Sequence, residues 1–356
     1  MKVFHCDHCG HLLFFENTHC VRCRQLVAYL PDLAVVGSLD KDRDVPGGWR
    51  SPLKAAAGRV YRLCRNYTEE QVCNWAVLPG DASPLCLSCR LTRVIPDLTT
   101  DDRRHAWYRL EVAKRRLLFT LLRLQLPVIT LDEDATRGLA FEFKADREDG
   151  TPVLTGHASG VITVNVAEAD DAERERRRIS LHEPYRTLAG HLRHESGHYY
   201  WSRLIEDRRA VDGFRKAFGD ERADYGAALS AYYASGPPAD WQDRFISAYA
   251  SAHPLEDWAE TWAHYLHVVD TVETAAACGV SMRPRRADEP SLDRVPPSVA
   301  AQGDFEQLIE SWLAVTYVMN NLNRGLGLAD AYPFVWSAPA VEKLRYVHGM
   351  VCGGRT

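Results

Sequence analysis

At 356 residues, 46% apolar and 26% charged, the chain has ordinary globular composition and about two domains' worth of length. Disordered, collagen-like and low-complexity architectures are excluded, and the greasiest window, residues 117–131, is broken by Arg123, Gln125 and Pro127, too early for a bilayer-spanning helix. The net charge of −5 is uneven: the first 126 residues carry 19 Lys and Arg against 13 Asp and Glu, and the remainder is acidic.

The N-terminus, Met1 to Gly10, has two His and two Cys where a signal peptide needs an apolar stretch, so a soluble cytoplasmic protein is expected. Eight of the ten cysteines precede residue 90. Cys6-Asp7-His8-Cys9 and Cys20-Val21-Arg22-Cys23 are two C-x-x-C turns ten residues apart. Each turn presents two thiolates to one ion, and two turns close a tetrahedral zinc site, which predicts a zinc ribbon over residues 1–30. His5, His8, His11 and His19 then belong to its surface. Asp40 to Pro52 has linker composition. Cys64, Cys73, Cys86 and Cys89 supply a second four-cysteine zinc site within 31–98, plugged by Trp75 and Leu85; the competing reading is one pair plus two buried cysteines. Two four-thiolate zinc sites of about −2 each would lower the positive charge of the front half from +6 to about +2, which weakens the electrostatic case for nucleic acid. Cys278 and Cys352 are assigned to packing.

From Thr99 the pattern becomes helical, with Trp107, Leu110, Leu117, Leu121 and Leu124 at core spacing and Pro127 as the stop. Arg103, Arg104, Lys114, Arg115 and Arg116 read as its solvated face. Phe141 to Phe143 and Val161 to Val166 read as strands, with turns at Gly150 and Gly156 to Gly160. Glu173 to Arg178 reads as solvated charge, and His182-Glu183 as a loop ahead of the next helix.

That helix, predicted to begin near Tyr185, contains His194-Glu195-Ser196-Gly197-His198. Residues four apart share a helix face, so both imidazoles can hold one metal ion while Glu195 leans toward a water on it. A catalytic zinc needs a third protein ligand and an open position. The metzincin pattern is excluded by Trp201 and Leu204, where it needs Gly and His. An acidic ligand from a later helix remains, and Pro254 starts one that carries Glu256 and Glu260 four apart. One of these glutamates can bind the metal while the other accepts the N–H of a ligand histidine. Trp258, Trp262 and Tyr265 read as core, Glu221 and Asp224 as solvent-exposed. Ser281 to Ser298 reads as a long loop. The last long helix, Phe305 to Leu326, has Leu308, Trp312, Val315, Met319 and Leu322 at core spacing, and Asn320, Asn321, Asn323 and Arg324 close it.

H-E-x-x-H followed some sixty residues later by E-x-x-x-E resembles the gluzincin metallopeptidases. The resemblance implies that Glu256 is the third zinc ligand and Glu260 the outer partner. It also implies Tyr249, seven residues before Glu256, as the oxyanion donor, with Tyr265 and His264 competing for that role. Leu255 departs from the thermolysin pattern, which has Asn there. The ribbon, Cys86 to Thr92, Arg193 to Trp201, Asp220 to Tyr225 and Glu256 to Trp262 together resemble the bacterial zinc-binding metallopeptidases that carry an N-terminal zinc ribbon.

The expected fold is therefore α+β: zinc-ribbon modules at 1–30 and 31–98, then a mostly helical gluzincin-like domain with a small sheet at 99–356. The expected activity is zinc-dependent hydrolysis of a peptide or protein substrate, with Glu195 as general base, one catalytic zinc and two structural ones. The alternative is a zinc-ribbon adaptor that binds protein or nucleic acid through residues 1–98, with an inactive peptidase-like domain.

Overall fold

The computed structural model describes residues 2–147, 149, 151–180, 186–286, 288–292 and 304–353. The expected turn at Gly150, the loop at His182 and Glu183, the helix start at Tyr185 and residues 293–298 of the long loop lie outside the described residues. The architecture is α+β. The described residues fall into two compact units, residues 2–123 with 127–174, and residues 124–126 with 175–356.

The first unit opens with hairpins too short to hold a core of their own. Phe4–His5 pairs with Leu12–Leu13, and β1 (Val27–Leu30) pairs antiparallel with β2 (Val35–Ser38). The expected linker contains a further hairpin, Asp40–Lys41 against Trp49–Arg50. Tyr29, Trp75, Phe15 and Phe119 form an aromatic nucleus, with Tyr29 and Trp75 rings 4.6 Å apart and Phe15 and Phe119 rings 5.3 Å apart. Trp75 is fully buried, as a plug should be, and Leu85 half-buried.

A four-stranded sheet follows, in the order β5–β6–β4–β3, from β3 (Thr92–Val94), β4 (Ala140–Lys144), β5 (Gly156–Ala158) and β6 (Val161–Asn165). β4 runs parallel to both neighbours, with Ala140 opposite Val161 and Lys144 opposite Asn165. Helix α1 (Asp101–Arg123) lies in the connection between the parallel strands β3 and β4. Residues 156–158, expected as turn, are the strand β5, and the turn narrows to Ser159 and Gly160. On α1, Arg103 and Arg116 are exposed, but Lys114 and Arg115 are fully buried, which corrects the expected solvated face. The reason is local: Lys114 Nζ lies 2.8 Å from the buried Glu111 and donates to Ser88 O, and Arg115 Nη1 donates to Val72 O.

Helix α2 (Asp171–Ser180) carries the charged run, with Arg178 on Glu175 at 2.8 Å. The second unit is helical: α3 (Leu188–Trp201), α4 (Val211–Phe218), α5 (Tyr225–Ser235), α6 (Pro254–Ala277), α7 (Phe305–Gly325) and α8 (Ala338–Cys352). α3 begins at Leu188 because Thr187 caps it, its hydroxyl accepting from Gly190 N. α6 is the central helix, packed by α3, α4, α7 and α8, with Trp258, Trp262, Tyr265 and Leu266 buried. On α7, Leu308 and Trp312 are buried, whereas Leu322 faces solvent because it lies in the final turns beyond the packed face. Asn320 exchanges two hydrogen bonds with the backbone of Tyr332 and Arg324 pairs with Asp330, closing the chain after the helix. Cys278, expected in the core, is exposed just past α6, and Cys352 is half-buried.

Candidate metal centres

Both four-cysteine sets converge: the sulfurs of Cys6, Cys9, Cys20 and Cys23 lie within 4.8 Å of one another, as do those of Cys64, Cys73, Cys86 and Cys89. Sulfur pairs stand 3.7 Å apart for Cys6 and Cys23, 3.6 Å for Cys9 and Cys20, and 3.7 Å for Cys73 and Cys86. Zinc with Zn–S of ~2.3 Å in a tetrahedron has sulfur–sulfur edges of ~3.8 Å, so these spacings fit a tetrathiolate ion and are far longer than a disulfide. Backbone N–H groups already point at sulfur in the second set, Trp75 N at Cys73 and Cys86 N at Cys64. Because all four sulfurs of that set converge on one point, the competing reading of one pair plus two separate core cysteines falls.

The third cluster joins two helices. His194 and His198 lie one turn apart on α3, their rings 5.0 Å between centroids. Glu256 projects from the first turn of α6, whose start is fixed by Pro254 and by His253, whose Nδ1 accepts from Leu255 N. The helices are drawn together at Gly197, where an added Cβ would stand 2.9 Å from Ala259 Cα. Trp258 Nε1 donates to Gly197 O at 2.8 Å and Trp262 Nε1 to Ser196 Oγ at 3.0 Å, which locks the rotation of α3 against α6. As a result the ligand atoms of His194, His198 and Glu256 lie within 4.8 Å of one another.

Hydrogen bonding decides what this cluster can hold. Glu260 Oε1 lies 2.7 Å from His194 Nδ1, so that nitrogen donates and, in the neutral imidazole that binds a metal, Nε2 keeps its lone pair. Nε2 faces Glu256 Oε2 at 3.1 Å, yet Oε2 is a buried oxygen without a hydrogen-bond partner among the described residues. Glu256 Oε1 lies 3.5 Å from His198 Nε2. Lone pairs converging on one point call for a cation between them, and two imidazoles with one carboxylate are a zinc donor set that leaves a coordination position open. The residues present therefore fit the ion.

Without an ion the flanking carboxylates favour a second proton on His194, the positive charge that a metal ion would replace. Burial opposes charge on His194, but Glu256 and Glu260 on either side hold its pKa well above the ordinary imidazole value. Burial likewise opposes ionisation of Glu256, yet His194, His198 and Tyr225 hold it down to about 2. Burial pushes the Glu195 carboxyl up to about 7, against the pull of His194 and with the push of the Glu256 and Glu260 carboxylates. The Glu195 carboxylate has no hydrogen-bond partner among the described residues.

Tyr249 sits beside this cluster, its ring 5.9 Å from that of His194. The two competing residues are engaged with other partners: His264 bonds through Nδ1 to the Tyr332 hydroxyl, and Tyr265 OH lies 3.0 Å from His348 Nδ1. Sequence reasoning missed two participants. Tyr225 OH donates to Glu256 Oε1 at 2.6 Å, and Ser247 Oγ donates to Glu260 Oε2 at 2.6 Å. Neither has a periodic signal, although Tyr225 ends the Asp220 to Tyr225 segment that carries part of the family resemblance. Of the other two acids in question, Glu221 pairs with Arg215 and Asp224 caps α5.

Residues 103–350 match the model of a family described as "Putative zinc-binding metallo-peptidase". The chain belongs to this family. All three residues of the His–His–Glu cluster lie within the match. Residues 3–100 match the model of a zinc-ribbon domain, which takes in both four-cysteine sets. Relatives of the same length class are uncharacterized proteins of Mycobacterium bovis (Mb2598c) and Mycobacterium tuberculosis (MT2644 and Rv2568c), each 41% identical over 352 residues, 99% of this chain and 95% of the relative. No solved structure matches the chain significantly. Among the described residues, no helix is long and apolar enough to cross a membrane.

Proposed function

We propose that this member of the metallopeptidase family hydrolyses peptide bonds with zinc held by His194, His198 and Glu256, and that the two four-cysteine sets hold structural zinc. The observation that carries the reading is the buried Glu256 Oε2 facing the lone-pair nitrogen of His194 without a hydrogen bond, beside a second imidazole and a buried carboxyl. Zinc, when bound, supplies Lewis acidity that polarises a substrate carbonyl and brings the pKa of water toward ~7.

The chain's own residues do the rest. Glu260 accepts the Nδ1 proton of His194 and fixes its tautomer, and Ser247 fixes Glu260. Glu195, with its carboxyl raised toward neutrality by burial, takes a proton from the attacking water and delivers it to the leaving amine. Tyr249 stays protonated, because burial and the Glu256 carboxylate raise its pKa far above the usual phenol value, and its hydroxyl donates to the oxyanion. Eight cysteines in metal-spaced sets, none of them in a disulfide, suit a reducing compartment, and we place the protein in the cytoplasm.

The test pairs zinc stoichiometry with turnover. The wild type is expected to hold nearly three zinc ions per chain and the His194→Ala/His198→Ala variant two. Glu195→Gln is expected to keep all three while losing on the order of 10²–10⁴-fold in peptide hydrolysis. Full activity of Glu195→Gln, or an unchanged zinc count in the double variant, would end the assignment.

A further inference from the structure

Helix α5 buries none of its residues, unlike α3, α4, α6, α7 and α8. The segment that contains it begins after Gly219, at φ 108° and ψ −178°, and ends at Gly236, at φ 74° and ψ −178°. That region of backbone space is open essentially to glycine alone, so both ends of the segment are set by residues that admit conformations denied to others. Between them the helix is self-sufficient, because Asp224 caps it through Ala227 N. What ties it down is tyrosine and little else. Tyr225 OH donates to Glu256 Oε1, the Tyr225 ring meets His253 at 5.1 Å, and the Tyr232 ring meets Tyr249 at 5.6 Å.

The consequence for the metal centre lies in the two oxygens of Glu256. The carboxylate is 1% exposed, and its Oε1 is taken by a phenol at 2.6 Å. Oε2 is left buried, unpartnered and 3.1 Å from His194 Nε2. A carboxylate with one oxygen engaged by a strong donor binds a cation through the other, at an orientation the donor sets.

We propose that Tyr225 is a positioning residue of the zinc centre: it engages Oε1 of Glu256 so that Oε2 alone faces the ion, and α5 is the lid that carries it there. The inference rests on the zinc reading above. It assigns α5 a role in retaining the ion.

The experiment uses the full-length zinc-loaded protein and follows zinc release to a chromogenic chelator, with turnover as a separate measurement. The His-dependent zinc is identified as the phase missing from His194→Ala/His198→Ala; if no phase is missing, the zinc reading itself fails, independently of Tyr225. With that phase present, Tyr225→Phe is expected to release the same zinc about tenfold faster while the cysteine-bound zinc is unchanged. Tyr225→Phe also takes the donor from a buried carboxylate oxygen, so thermal unfolding is followed alongside, and a loss confined to the His-dependent zinc with the cysteine-bound zinc unchanged is what a general loss of stability would not give. Gly236→Ala has no neighbour within 4 Å to clash with and strains only the hinge, so it should speed the same release severalfold in the wild type. In the Tyr225→Phe background it should add nothing, since the lid acts through the hydroxyl. Unchanged or slower release from Tyr225→Phe, or fully additive effects of the two substitutions, would overturn the proposal.

Discussion

At the scale of single residues, the candidate centre depends on one carboxylate that serves two donors. Glu260 Oε1 accepts from His194 Nδ1 and Oε2 from Ser247 Oγ, 2.7 and 2.6 Å away. Glu260→Gln preserves shape but replaces one acceptor with an NH₂ group, so either His194 or Ser247 meets a donor. The His194 tautomer is then no longer enforced, and zinc affinity at this centre is expected to fall ten- to a hundredfold, measured by competition with a chelator of known affinity. Ser247→Ala, which leaves the histidine bond intact, should fall less. The pattern of what could be read beforehand follows the same chemistry. His194, Glu195 and His198 share one turn of helix, and Glu256 and Glu260 another, so helical period exposes them. Tyr225 and Ser247 reach the centre only through the fold, 31 and 13 residues from the acids they bond. Lys114 and Arg115 misled for a related reason: a run of cations looks solvated until the carbonyls of Ser88 and Val72 are brought to it.

At the scale of elements, the spacing of α3 and α6 sets the distance from imidazole to carboxylate. Gly197 permits it, since a Cβ there would meet Ala259 Cα at 2.9 Å, backbone that cannot swing aside. Gly197→Ala must push the helices apart, stretch the Trp258 and Trp262 hydrogen bonds and separate His198 from Glu256. A loss of about 1–3 kcal/mol in urea unfolding is expected, together with weaker binding of the His-dependent zinc. Gly349→Ala is the matched control, because that glycine lies within α8 with nothing inside 4 Å of its absent Cβ. It should stabilise by about 0.5–1 kcal/mol through helix propensity and leave zinc untouched. The glycine was legible as part of a motif, but its packing role was not, because H-E-x-x-H tolerates many residues at that position. The short strands β3 and β5 were equally hidden. Three residues carry too little alternation to reveal a strand, and only pairing with β4 and β6 defines them.

At the scale of the whole molecule, the α+β class, the two cysteine sets and the helical region that carries the His–His–Glu cluster were all readable from spacing and period. The burial of charge against the second cysteine set was not, and it carries a prediction about what holds the first unit together. Arg115 is fully buried, and its charge is stabilised by Cys73, Glu111, Cys89 and Cys86 in that order once desolvation is set against it. A zinc tetrathiolate would carry about −2, so Arg115 and Lys114, less the charge of Glu111, would offset about half of a charge that the interior could not otherwise accommodate. Removing zinc protonates the thiols and strips Arg115 of that counter-charge, leaving a cation buried in a unit whose hairpins are only two to four residues long. Hydrogen exchange after zinc is stripped by chelator and a thiol reagent should therefore rise together in residues 60–94 and in the middle of α1, around Glu111 to Leu118, while the α6 core from Trp258 to Val269 stays protected. Arg115→Met should reproduce part of this in the zinc-loaded protein, with faster zinc loss from the second set and not the first. If the α1 amides keep their protection without zinc, the cluster is held by apolar packing alone, and the buried arginine has no part in retaining the metal.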